Sequence, residues 1–130
     1  MQRRPKKGKE GSCKQMIACK KEAITKELVD EWMKKWEMLR QGIHQSHSVR
    51  DGNAKEIMLK AIQLYESFVL DASDTQDVLS ENEEYEILPI NAMERLSFIK
   101  SRPGQYACYR QLDELFIETK KRCARLRLKH

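Results

Sequence analysis

Apolar side chains recur at three- and four-residue intervals along four stretches of the chain, and each stretch predicts an amphipathic helix. In the first, Ile24, Leu28, Val29, Trp32, Trp36, Leu39 and Ile43 fall on one broad stripe, with Asp30, Lys34 and Glu37 opposite. Thr25 is placed to cap its start, and Gly42, the residue type that most often follows a helix C-terminus, is expected to end it after about Gln41. The HQSHSVRDG run that follows (44–52) reads as a loop by its Ser, Asp and Gly content. Asn53 with Glu56 three residues on has the spacing of a capping box and predicts a second helix to about Ala72. Apolar residues cover most of that helix's circumference, leaving Lys55, Lys60, Gln63 and Glu66 as its polar side, which predicts a place at the centre of a bundle.

Residues 73–89 form an acidic connection, in which TQDVLSE has the makings of one short turn, and the connection closes at Pro89. Asn91 and Glu94 repeat the capping pattern ahead of a third helix to about Lys100 that buries Met93, Leu96 and Ile99. After the Arg102-Pro103-Gly104 turn, Tyr109, Leu112, Phe116, Thr119, Cys123 and Leu126 mark one stripe of a fourth helix, with Pro103 suited to its first position. Its span, from about Pro103 to Leu128, is roughly 35 Å at 1.5 Å per residue. The expectation is an all-α fold: an up-and-down bundle of four helices, five if the acidic turn counts, over residues 22–130, behind a disordered basic tail of residues 1–21.

Composition narrows the class further. At 130 residues, 40% hydrophobic and 35% charged, the chain suits one compact core. Three prolines and five glycines are too few for a strand-and-turn architecture. No run of about 18 apolar residues and no apolar stretch behind the charged N-terminus are present, so neither a membrane partner nor a secretory signal is expected. In an intracellular setting the four cysteines are expected as thiols.

The net charge of +5 conceals a segregated distribution. Residues 1–21 carry eight Lys or Arg against Glu10 alone, residues 71–88 carry seven Asp or Glu and no cation, and residues 119–130 carry six Lys or Arg and no anion. Part of the C-terminal charge complements the negative end of a helix dipole and needs no ligand to account for it.

Signals for catalysis are weak. No phosphate-binding glycine loop, serine elbow or zinc-protease helix is present, so no catalytic residue and no cofactor is assigned. Cys13, Cys19, His44 and His47 are the one candidate metal set, and the five-residue gap between the cysteines departs from the usual zinc spacing, so solvated histidines are the preferred reading. Cys108 and Cys123, fifteen residues apart on one helix, stand about 22 Å apart and cannot share a metal or a disulfide. Lys120, Arg122 or His130 would be the groups to activate Cys123, but no histidine–carboxylate relay accompanies it. Trp32 and Trp36 have the spacing of an aromatic groove, and their place mid-stripe favours core packing instead.

Binding is the better supported class. Arg3, Arg4, Lys6, Lys7 and Lys9 compose a basic arm of the kind that directs nuclear entry or contacts phosphates without sequence preference. Lys120, Lys121, Arg122, Arg125, Arg127 and Lys129 would present a basic helical face to a nucleic acid or an acidic protein. Met33 and Met38, at or beyond the edge of the first stripe, are candidate protein contacts. So are Tyr85, Ile87 and Leu88, which could add as a strand to a partner's sheet, although anchoring the loop to the bundle is the simpler role for Ile87, Leu88 and Ile90. The expected function is a non-enzymatic interaction module: an adaptor or small subunit of a chromatin- or DNA-associated complex, nuclear or alternatively cytoplasmic. Another protein is the main expected partner, with direct DNA binding as the alternative and homodimerisation open.

Overall fold

The computed structural model describes residues 16–74, 79–80 and 83–129. The residues assigned to the basic arm, from Arg3 to Lys9, and the TQDVLSE turn lie wholly or in part outside them. Four helices, α1 (Lys26–Val49), α2 (Ala54–Asp71), α3 (Ala92–Ser101) and α4 (Tyr106–Leu128), form an up-and-down bundle, the all-α architecture expected. Two short strands, β1 (Met16–Ile17) and β2 (Glu84–Tyr85), pair in parallel beside it.

Each helix is held by most of the stripe its sequence displays; Leu28, on the expected α1 stripe, is instead 45% exposed, and Met93 of α3 is only half-buried. Val29, Trp32, Trp36 and Ile43 of α1 are buried, as are Met58, Ala61, Ile62, Tyr65 and Val69 of α2, and Leu96 and Ile99 of α3. The fourth helix buries the most side chains, from Cys108 to Leu126, so it rather than α2 is the central rod. Exposure of Leu59 on α2 shows why: its apolar residues wrap past the face that a neighbour covers. Phe116 sits where three helices meet, stacked on Trp36 at 4.4 Å and 4.8 Å from Trp32, with Tyr65 edge-on at 5.2 Å. Both tryptophans are therefore core residues. Their indole N–H groups find partners, Trp32 donating to the Leu64 carbonyl and Trp36 to Asp113, which removes the cost of burying them. One buried polar pair, Tyr65 Oη and Thr119 Oγ1 at 2.7 Å, joins α2 to α4.

The helix ends depart from expectation in an instructive way. Thr25 caps α1, its Oγ1 accepting from the Leu28 N–H. Gly42 does not stop that helix. Ile43 and Ser46 beyond it are buried, and their packing outweighs the roughly 1 kcal/mol that a helical glycine costs. The helix ends instead at Arg50 in the left-handed conformation, so His44 and His47 belong to α1 and not to a loop. Neither Asn53 nor Asn91 caps its helix through the side chain, and the capping-box reading fails at both. At the first junction Asp51 does the work, accepting from the Ser46 hydroxyl and the Asn53 N–H. Pro103 lies in the turn, with α4 starting three residues later at Tyr106.

Residues 16–24 are part of the fold, so the tail boundary expected at residue 21 falls inside packed structure. Ile17 and Ile24 are buried. The backbone of this segment bonds to the end of α2 through Lys20 N–H to Ala72 O and Asp74 N–H to Ala18 O, and to the β2 side through Glu86 N–H to Ile17 O. Arg127 of α4 donates to the Ile24 carbonyl and Lys21 to that of Lys129, which ties the segment to the far end of the bundle.

Candidate partner-binding surface

Along the last three turns of α4, Thr119, Cys123 and Leu126 point inward. By the 100° step of a helix, Lys121, Arg125 and Leu128 then stand on the outer face, one above another, with Ile117 below them. All four are exposed, Leu128 to 85%. Lys120 and Lys129 are exposed on either side. The expected basic face thus divides in two. Arg122 and Arg127 turn toward the protein, the first donating through Nε to the Glu86 carbonyl and the second to that of Ile24, so each satisfies a backbone acceptor. Lys120, Lys121, Arg125 and Lys129 make no ion pair among the described residues. On the α3-facing side of α4, Arg95 takes Glu118 in a two-pronged ion pair of 2.8 and 2.9 Å, which holds that carboxyl below the usual carboxylate range.

Beside this face runs the Pro89–Ile90 corner, where the acidic connection enters α3. Ile90 is 78% exposed and so does not help to pin the loop. A cavity of about 330 Å³ lies between the corner and α4, lined by Pro89, Ile90, Glu118, Lys121, Arg122 and Arg125. On the other side of the same corner opens a wider groove of about 580 Å³, whose wall carries Glu83, Glu84 and Glu94 among Met16, Leu88 and Met93. Pro89, Ile90 and Arg122 belong to both.

The remaining candidates fall elsewhere. Tyr85, Ile87 and Leu88 are buried, β2 is already paired with β1, and the Tyr85 hydroxyl accepts from the Ser80 N–H. Their side chains fill the bundle's flank and are not available to a partner's sheet. Met38 is 75% exposed, whereas Met33 packs half-buried against the core. Sequence reasoning missed Ile90, Ile117 and Leu128 as surface residues. The 100° phase of α4 carried the signal for Ile117 and Leu128, since both fall opposite Cys123 and Thr119.

Among the described residues no three His, Cys, Asp or Glu side chains converge as a metal site. Cys13 lies outside the described residues. Cys108 and Cys123 are buried, and burial pushes the Cys123 thiol up to about 12 and that of half-buried Cys19 to about 11, opposite to the activation a nucleophile needs. Iodoacetamide at neutral pH is accordingly expected to leave Cys108 and Cys123 unmodified in the native protein and to label both in denaturant; peptide mass mapping reads the difference, and rapid native labelling of Cys123 would contradict the packing.

A match to the YpoC-like protein family covers residues 26–130, from the first residue of α1 through the end of the chain. The chain belongs to the YpoC-like family. It is also similar to YpoC of Bacillus subtilis (strain 168), with 54% identity over 37 residues, which amount to 28% of this chain and 23% of that protein. Through that match the chain spans less than a quarter of the relative's length. No solved structure matches it. The YpoC-like region contains the four helices and the whole of the α4 surface, while β1 and the segment before α1 precede it. Among the described residues no helix is long and apolar enough to cross a membrane.

Proposed function

We propose that the chain is a non-enzymatic protein-interaction module, an adaptor or small subunit, whose partner docks on the outer face of α4 and the adjoining Pro89–Ile90 corner. The observation that carries this reading is the mixture of side chains on that face. Solvated cations alone suit any polyanion. Here Ile90 and Leu128, each largely exposed, stand among Lys121 and Arg125, and exposed aliphatic side chains within a charged rim are the composition of a protein contact. The matching partner surface is acidic and supplies one or two apolar anchors. An adaptor role in a DNA-associated complex remains compatible with the basic arm. The similar protein is bacterial, and a bacterium has no nucleus, so cytoplasm is the compartment this proposal adopts.

Direct nucleic-acid binding is the second reading, favoured by the density of unpaired cations on α4. The two separate by titration. A fluorescein-labelled Asp/Glu-rich peptide bearing leucine anchors is expected to bind, and the Lys121→Glu/Arg125→Glu variant to weaken it by tenfold or more, since truncating central charged contacts costs on the order of 2 kcal/mol. Duplex DNA is expected to bind more weakly and to lose affinity steeply with salt. Equal peptide affinity in wild type and variant would remove α4 from the interface, and tight DNA binding without peptide binding would favour the second reading.

A further inference from the structure

The two cavities flanking the Pro89–Ile90 corner differ in the sign of their charge balance once Glu118, paired with Arg95, and Arg122, which lines both cavities and bonds to the Glu86 carbonyl, are set aside. On one side Glu84 and Glu94 are exposed and Glu83 is half-buried; on the other stand exposed Lys121 and Arg125. No ion pair links the two sets among the described residues. Ile90, between them, is the apolar divider. A surface with this order, acidic, apolar, basic, is complementary to itself after a half-turn about the divider. That is the requirement of an isologous two-fold contact, in which each patch of one subunit meets the other patch of its mate.

We propose that the partner on this face is a second copy of the chain, packed about a two-fold axis near Ile90, with Glu84 and Glu94 of each subunit facing Lys121 and Arg125 of the other. The proposal rests on the reading of the α4 face as a protein-binding surface and names its occupant. The net charge of +5 does not oppose it at moderate ionic strength. At about 0.15 M salt the screening length is about 8 Å, so repulsion between distant like charges fades while charges in direct contact still attract. Each half of the contact buries one exposed isoleucine against its counterpart, which takes apolar surface from water.

Sedimentation equilibrium on the full chain tests this. At ~0.1 M salt the mass is expected to rise with concentration from 15.4 kDa toward twice that value, and to return to 15.4 kDa at about 0.5 M salt, where the screening length is only a few Å. Lys121→Glu/Arg125→Glu and Glu84→Lys/Glu94→Lys should each be monomeric alone, because each leaves like charge facing like. Mixed one to one they should associate again, since opposite charges then meet at both contacts, one with its native signs and the other with its signs exchanged, a recovery that neither misfolding nor a general charge effect produces. A chain that stays at 15.4 kDa at ~0.1 M salt and high micromolar concentration, or a mixture that stays monomeric, overturns the proposal. If the monomeric chain still binds the acidic peptide, the self-association is wrong and the α4 reading stands; if it binds neither, both fall.

Discussion

Replacing Phe116 by alanine is expected to destabilise the protein by about 3–5 kcal/mol, the range for deleting a fully buried aromatic ring. Phe116 is inaccessible to solvent and is the ring on which α1, α2 and α4 converge, in contact with Trp32, Trp36 and Tyr65. Removal forfeits the ring's own burial and leaves a void that two tryptophans, each fixed by an indole hydrogen bond, cannot collapse to fill. Spread over a chain of this length, such a loss lowers the melting temperature by on the order of 10 °C or more. Thermal denaturation followed by circular dichroism reads it directly. A Phe116→Ala protein melting within about 2 °C of the wild type, less than a 1 kcal/mol change would produce, would mean that the three helices do not share this centre.

Ile87→Ala carries the second large effect, about 2–5 kcal/mol, and it discriminates between two roles for the acidic connection. In the structure Ile87 is inaccessible and lies two residues after β2, and the pairing of β2 with β1 together with the hydrogen bond from Arg122 to the Glu86 carbonyl fixes the segment against α4. Truncation should therefore lower stability and loosen the neighbouring turn, which would appear as faster amide exchange at Glu86 and Leu88. Both amides are hydrogen-bonded, to Ile17 and Tyr85. If Ile87 instead belonged to a strand offered to a partner, its loss would leave the melting temperature unchanged. Met38→Ala, at a side chain exposed to 75%, is the control and should be neutral within about 0.5 kcal/mol.

Much of this fold is legible in the chain itself, because helical periodicity reports burial directly. The stripes through Trp32 and Trp36, through Met58 and Tyr65, and through Leu112 and Phe116 are the buried faces observed. Local signals were less reliable where tertiary packing competes with them. Gly42 reads as a stop by residue type, yet buried Ile43 and Ser46 carry the helix onward to Val49. Asn53 and Asn91 sit at cap positions by spacing, but Asp51 reaches the α1–α2 junction first and Asn91 adopts a left-handed backbone. The pairing of β1 with β2 joins residues far apart in sequence and has no periodic signature in a two-residue strand. For the surface, charge count marked the C-terminal end of α4 as basic but did not divide it. The inward turn of Arg122 and Arg127 depends on carbonyls at Glu86 and Ile24 that only the folded chain brings near. Exposure of Ile90 beside buried Ile87 and Leu88 likewise follows from the corner at Pro89, where the chain turns into α3.

The outer face of α4 with the Pro89–Ile90 corner is the surface proposed to meet the partner of this YpoC-like protein. Amide chemical-shift mapping of the isotope-labelled full chain, titrated with the leucine-anchored acidic peptide, tests that most directly. Shifts are expected to concentrate at Ile90 and from Ile117 to Lys129, and to saturate together. Shifts concentrated on the α1–α2 side around Met38 and Leu59, with residues 117–129 unmoved, would contradict that proposal.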